Sequence, residues 1–140
     1  MTVVLDTNVI FSAIASPRGA SFAIVSSLPS KKFTTAISLP LFKEYEDVVH
    51  RSGTQLDQVP VAQRENLIRF VASISTQKVI YFLWRHQLPD PKDSMVLEVA
   101  IASQASYIIT HNTKDFQPAL SFGITPITPG DFIHTIGGLS

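Results

Sequence analysis

Two periodicities alternate along this chain. Val3-Val4-Leu5 is a short β-branched run that stops at Asp6, the pattern of a strand buried on both faces of a parallel sheet. Thr7 or Asn8 can cap a helix over about Val9 to Ala15, which Pro17 and Gly19 end, and a second helix fits Ala20 to Leu28. Phe33-Thr34-Thr35-Ala36-Ile37 predicts a second strand, after which Ser38 and Pro40 open a helix to about Arg51. Ser52 to Pro60 is polar and reads as a loop. Leu67, Phe70, Val71 and Ile74 stand at helical spacing and predict a helix over Val61 to Ser75. Val79-Ile80-Tyr81-Phe82 predicts a third strand, and Asp90-Pro91 opens a helix to about Gln104. Tyr107-Ile108-Ile109-Thr110 predicts a fourth strand and Ile124 to Ile127 a short fifth, with a last turn or helix near Asp131 to Ile136.

Strands that alternate with helices make an α/β domain with a mainly parallel sheet. No repeat, low-complexity segment or linker divides the chain, so residues 1–140 are expected to form one domain, and the length suits one core. Charged residues are only 16% and hydrophobic ones 45%, which excludes a disordered tail. The absence of cysteine excludes a disulfide framework, a thiolate metal site and a thiol nucleophile, and fits a reducing cytoplasm. Lys and Arg number 11 against 11 Asp and Glu, so net charge offers no argument for a nucleic-acid partner; such a partner must meet a local basic rim or metal ions. No apolar run approaches the ~18 residues of a membrane span, and the N-terminus lacks the pattern of a signal peptide. The glycines form neither a P-loop nor a dinucleotide fingerprint.

Ligands of open parallel sheets bind at the carboxyl ends of the strands. Asp6 ends the first strand, His111 and Asn112 follow the fourth, Asp90 and Asp93 open the helix that leads into it, and Glu44 lies in the helix after the second. Carboxylates that converge there repel unless a divalent cation lies between them, and hard oxygen ligands suit Mg²⁺ or Mn²⁺ rather than zinc. Simpler roles compete. Asp6 can cap the next helix, Asp90 before Pro91 is a good N-cap, and Asp93 in the first turn suits the helix dipole. On the helix after the second strand, Glu44 and Glu46 flank the apolar face formed by Leu41, Phe42, Tyr45, Val48 and Val49 about equally, and Asp47 points away. Periodicity leaves the choice between the two glutamates open. His50, His86 and His134 lack metal-ligand spacing and default to surface or loop positions; His111 near the site reads as a hydrogen-bonding bystander. No serine sits in a nucleophile-elbow pattern.

Three segments carry a family resemblance. Val3-Val4-Leu5-Asp6-Thr7-Asn8-Val9-Ile10 resembles the opening of PIN-domain nucleases. Asp90 to Ala100, Asp-Pro-Lys-Asp-Ser-Met-Val-Leu-Glu-Val-Ala, resembles the third motif of their toxin-like, VapC-like branch, and Tyr107-Ile108-Ile109-Thr110-His111-Asn112, continuing to Lys114-Asp115-Phe116, is similar to the fourth. The resemblance implies a three-layer α/β/α sandwich with a five-stranded, mainly parallel sheet in the order 3-2-1-4-5. It implies metal-dependent cleavage of RNA, often by the toxin half of a toxin–antitoxin pair, in the cytoplasm, and a homodimer. Carried over by position, the acids are Asp6, Glu44 and Asp93. Glu44 is chosen over Glu46 because the family places its acid directly before a hydrophobic or aromatic position, here Tyr45. Thr110 matches a hydroxyl residue near the metal, and Asn8 a position that supports the first Asp. This chain departs from many PIN nucleases at Asn112, where they carry a fourth Asp. An amide oxygen can ligate a metal but adds no charge, and Asp115, three residues on, can compensate.

The mechanism so implied is hydrolysis of an RNA phosphodiester by metal-activated water, with Asp6, Glu44 and Asp93 holding Mg²⁺ or Mn²⁺. Lys43, Arg51, Lys92 and Lys114 adjoin the site segments and are candidate phosphate contacts, against a simpler role as solvated charge. Two other classes compete. A PIN-like module can bind RNA or protein without catalysis. A phosphatase can use Asp6 as an aspartyl nucleophile, although Asn8 stands where such enzymes commonly need a second Asp. A hydrophobic fraction of 45%, with apolar residues around Phe22 and Phe70 beyond what one core covers, accords with a homodimer.

Overall fold

A computed structural model of the chain describes residues 1–80 and 88–140. Its centre is β1, Thr2–Leu5, in which Val3, Val4 and Leu5 are all buried. Side chains along a strand alternate between faces, so three consecutive buried residues require cover on both sides of the sheet. Strands β2 (Thr34–Ile37) and β4 (Tyr107–Ile109) flank β1, β3 (Thr76–Gln77) lies outside β2, and β5 (Thr125–Ile127) outside β4. All four pairings are parallel, with Val3 opposite both Thr35 and Tyr107, and Leu5 opposite Ile109. The sheet is five-stranded with the order 3-2-1-4-5, as expected.

Helices α1 (Thr7–Ala15), α2 (Ala20–Ser26), α3 (Leu39–Val49), α4 (Val61–Ile74), α5 (Pro91–Ala102) and α6 (Pro129–Thr135) connect and cover the strands. Helix α1 packs on α2 and α3, α3 on α4 and α5, and α2 on α6. The last helix is fastened by Phe132, whose ring meets those of Phe33 and Tyr107 edge-on at centroid distances of 5.1 and 5.7 Å. Except for β3, the elements expected from the pattern lie within about two residues of their anticipated ends, the usual uncertainty of helix and strand termini. Among the described residues, no single helix is long and apolar enough to cross a membrane.

Three local expectations are corrected. The third strand does not include Val79 or Ile80, where the expected run over Val79 to Phe82 begins. It is the exposed pair Thr76–Gln77, opposite Ala36 and Ile37, while Val79 and Ile80 form no strand and Tyr81 and Phe82 lie outside the described residues, as does His86. β3 is an edge strand that starts two residues after α4 ends, and the helix end sets its register: the hydroxyls of Ser75 and Thr35 meet at 2.5 Å, and Lys78 N donates to Ile37 O. An edge strand paired on one side needs no apolar run, so β-propensity points to the wrong residues. The cap of α1 is Asp6 rather than Thr7 or Asn8, and the helix begins at Thr7. Finally, Thr113–Phe122 forms consecutive 3₁₀ turns with a break at Phe116 and Pro118 inside. Such turns carry no 3.6-residue period, so the sequence shows only a gap.

Between α3 and β1 runs one buried hydrogen bond. The hydroxyl of Tyr45, a residue 1% exposed, donates to the Leu5 carbonyl at 2.6 Å. It joins the residue after Glu44 to the residue before Asp6. Tyr45→Phe strips the Leu5 carbonyl of that partner in a dry interior and is expected to lower stability by about 1–3 kcal/mol, read as a shift in the midpoint of urea unfolding at unchanged slope.

Candidate active site

Asp6 follows the last residue of the central strand and is 4% exposed. Both of its oxygens are engaged: Oδ1 accepts from Thr7 N at 2.7 Å, the N-cap bond of α1, and Oδ2 accepts from the Thr110 hydroxyl at 2.7 Å. These bonds favour the charged form, but burial outweighs them and raises the pKa of Asp6 above its ordinary value; repulsion from Asp115 adds to the rise. Thr110, itself fully buried at the end of β4, also accepts from Asn112 N at 3.0 Å and from Asn8 Nδ2 at 3.4 Å. Asn8 Oδ1 in turn accepts from His111 N at 3.3 Å. One hydroxyl and one amide thus tie the exit of β4 to the exit of β1.

Asp90 caps α5 through Lys92 N at 2.9 Å, and Asp93 sits half-buried in its first turn. The helix dipole favours an anion there, yet the pKa of Asp93 is pushed up to about 7, by burial first and then by the charges of Asp6, Asp90 and Asp115. Asp90, Asp93, Lys114 and Asp115 line an open cleft of about 400 Å³ with Leu88, Pro89 and Pro118.

Glu44 approaches from α3. It lines a neighbouring groove with Leu39, Pro40, Lys43, Asp47 and Met95. Its side chain is 12% exposed, and among the described residues the buried Oε2 has no hydrogen-bond partner; Lys92 Nζ lies 4.0 Å from it. Asp47 is exposed, as its helical position predicts. Of the candidate phosphate contacts, Lys114 lines the acidic cleft and Lys43 the groove of Glu44, and Lys92 lies 4.0 Å from Glu44. Arg51 lies beyond the C-terminal end of α3, where Arg64, a buried residue of α4, grips its carbonyl together with those of Val49 and Val59.

Comparison with known proteins follows the same lines. A family model described as the PIN domain matches residues 2–114. The chain belongs to the PIN domain family. No curated protein sequence matches it. Among solved structures, this PIN domain is similar to that of VapBC2 from Rickettsia felis bound to a DNA fragment from its promoter, with 19% identity, a TM-score of 0.62, and 90% of this chain and 98% of that one covered. VapBC-1 from nontypeable Haemophilus influenzae gives 18% and 0.63 over 93% and 99%. FitAcB from Neisseria gonorrhoeae gives 15% and 0.59 over 91% and 98%. These likenesses confirm the α/β fold.

The acids of this PIN domain suit a hard divalent ion by chemistry: every candidate donor is an oxygen, Glu44 Oε2 is buried without a hydrogen bond among the described residues, and the charge of Asp115 disfavours the anions of Asp6 and Asp93, as that of Asp6 disfavours the anion of Asp93. Among the described residues, however, no three His, Cys, Asp or Glu side chains converge closely enough to hold one ion as they stand. Asn112 is exposed at the head of the 3₁₀ segment, and its carbonyl accepts from Asp115 N at 3.0 Å. Glu98, 2% exposed on α5, was not singled out in the sequence. A helix buried at Ser94 and throughout Val96–Ala100 shows no polar face that would mark one residue as special; the signal available was a carboxylate inside the run Val96-Leu97-Glu98-Val99-Ala100.

The Asp93 carboxyl ionises near 3.8 in an unfolded chain but only near 7 in the fold. The fold therefore holds an extra proton between those values. That contribution to stability is complete below the lower value and lost as pH rises through the upper one. Asp93→Asn removes the loss: it is expected to raise the thermal midpoint of the metal-free protein at about pH 8 and to leave it little changed at about pH 4. Circular dichroism melts of both proteins across this range provide the check, and parallel pH profiles would contradict it.

Proposed function

We propose that this PIN domain is a ribonuclease that hydrolyses RNA phosphodiester bonds with Mg²⁺ or Mn²⁺, as the toxin component of a toxin–antitoxin pair. The observation that carries the proposal is that Asp6 and Asp115 stand near enough to Asp93 at the carboxyl edge of the sheet for their charges to add to the burial that pushes its pKa up to about 7. Carboxylates at such mutual cost are relieved by a cation. Asp6, Glu44 and Asp93 would hold the ion, with Asn112 or Asp115 completing the set. The bound ion supplies a water of lowered pKa and neutralises charge on the phosphate.

The chain's own residues perform the rest. Thr110 and the Thr7 amide orient the Asp6 carboxylate, Asn8 braces Thr110, and burial of Asp6 keeps bulk water from its oxygens. Lys114 in the acidic cleft, and Lys43 and Lys92 beside Glu44, are the candidates to meet phosphates. Arg51 is set apart from them at the far end of α3. A chain with no net charge binds a polyanion through such a local rim and the ion together.

One observation favours a second reading, a binding module without catalysis: no three acids converge among the described residues. Metal-dependent cleavage decides between them. With excess Mn²⁺, the wild type is expected to cut RNA and to stop on addition of a chelator. Asp6→Asn is expected to lower the rate by more than the roughly 100-fold that loss of an outer-shell partner costs. Equal rates for the two proteins would end the nuclease assignment.

The likeness to VapBC and FitAB complexes supports an antitoxin protein as partner. A second copy of this chain is the proposed resting partner. Phe22 and Phe70 are 40% and 42% exposed on α2 and α4, more apolar surface than the core uses. Light scattering is expected to return twice the chain's 15.4 kDa; a monomer at high concentration would refute the dimer.

A further inference from the structure

A polar cluster beside the acids takes no part in the chemistry above. His111 Nε2 lies 2.7 Å from Ser12 Oγ and 3.1 Å from Ser21 Oγ, and the two hydroxyls are 3.1 Å apart. Ser12 belongs to α1 and Ser21, which is buried, to α2. The partners stand 99 and 90 residues from His111 in sequence, so the contact spans the fold.

Proton bookkeeping sets its direction. Ser12 has one hydroxyl proton and donates it to the Asn8 carbonyl at 2.9 Å, the back-bond a helical serine commonly makes. Toward the imidazole, Ser12 Oγ is then an acceptor, and Nε2 must carry the proton. That N–H is present in the neutral tautomer so selected and in the imidazolium alike, so the contact holds in either charge state.

The backbone around this ring carries the parts of the site. The residue before it, Thr110, donates its hydroxyl to Asp6. The backbone N–H of His111 donates to Asn8 Oδ1. The residue after it, Asn112, donates its N–H back to Thr110 Oγ1 and accepts through its carbonyl from Asp115 N. One short loop thus ends in the partner of Asp6 on one side and in the turn that carries Asp115 on the other. It follows a strand of only three residues. Sites on loops are held less exactingly than sites on strands or helices, and metal ligands tolerate misplacements of only about 0.5 Å.

We propose that His111 is a positioning residue: docked on Ser12 and Ser21, its ring fixes loop 110–112 and so the relation of Asp115 to Asp6, and with it the affinity of the acid cluster for a divalent ion. The affinity part rests on the metal-dependent reading above; the fixing of the loop does not.

The test uses the full chain, with calorimetric Mn²⁺ titration and amide hydrogen exchange at residues 110–115. His111→Ala is expected to weaken Mn²⁺ binding by about tenfold, the lower end of outer-shell effects, and to speed exchange in the loop. His111→Gln, whose side-chain N–H can replace Nε2–H, is expected to recover most of both. The pair Ser12→Ala and Ser21→Ala should match His111→Ala, and adding His111→Ala to that pair should cost nothing more, because all three remove one contact. Wild-type exchange in His111→Ala, faster exchange with unchanged Mn²⁺ affinity, or a His111→Gln protein as impaired as His111→Ala would each overturn the proposal. A wild type that binds no Mn²⁺ overturns the metal-dependent reading and the affinity claim with it, and the exchange result then decides the loop-fixing claim by itself.

Discussion

A carboxylate at the end of the central strand, 4% exposed, is the constraint from which the rest of this structure follows. Burying a charge is costly unless hydrogen bonds or ions offset it. Here two bonds of 2.7 Å do so in part, one from the first amide of α1 and one from Thr110 on β4. Both require β4 to lie directly beside β1, and α1 to start immediately where β1 stops. The sheet order meets this by placing β4 beside β1, with β2 on its other side. The raised pKa of Asp6 shows that burial still outweighs the two bonds.

Asp93 shows which of two opposed effects wins. At the start of α5 the helix dipole stabilises an anion by up to about 1 kcal/mol at an exposed site. A pKa of about 7 is the opposite result, so burial and the nearby carboxylates together exceed the dipole. The same helix brings Lys92 to 4.0 Å from Glu44. Helix α5 therefore contributes a carboxylate to one opening and a cation to the other, while Tyr45 holds α3 against β1 from behind. Asp6 follows the end of the central strand and its charge reaches Asp93, while Glu44 lines the neighbouring groove.

Membership of the PIN domain family and the sheet order agree with this account. The order places Asp6 and the β4 exit next to each other, and the 3₁₀ segment after β4 brings Asp115 near enough to act on both Asp6 and Asp93. Asn112 stays exposed while its carbonyl holds the turn that carries Asp115. Negative charge on the β4 side of this edge thus comes from Asp115, three residues after Asn112, rather than from position 112 itself.

The sequence by itself determined the alternation of strands and helices, the two-sided burial of β1, and the placement of Asp6, Asp93 and Thr110 at element ends. Each of these is written in local periodicity and capping residues, which report what a segment buries. Only the tertiary structure decided the rest. Strand β3 falls at Thr76–Gln77 because the end of α4 sets its register, against the propensity of Val79 and Ile80. Glu44 reaches Lys92 because α3 packs on α5, which helical spacing alone leaves level with Glu46. His111 finds Ser12 and Ser21 across 99 and 90 residues of chain. A one-dimensional pattern states which face of an element is apolar, but the distance between side chains on different elements depends on how those elements pack, and the contacts of Asp6 with Thr110, Glu44 with Lys92 and His111 with Ser12 are of that kind.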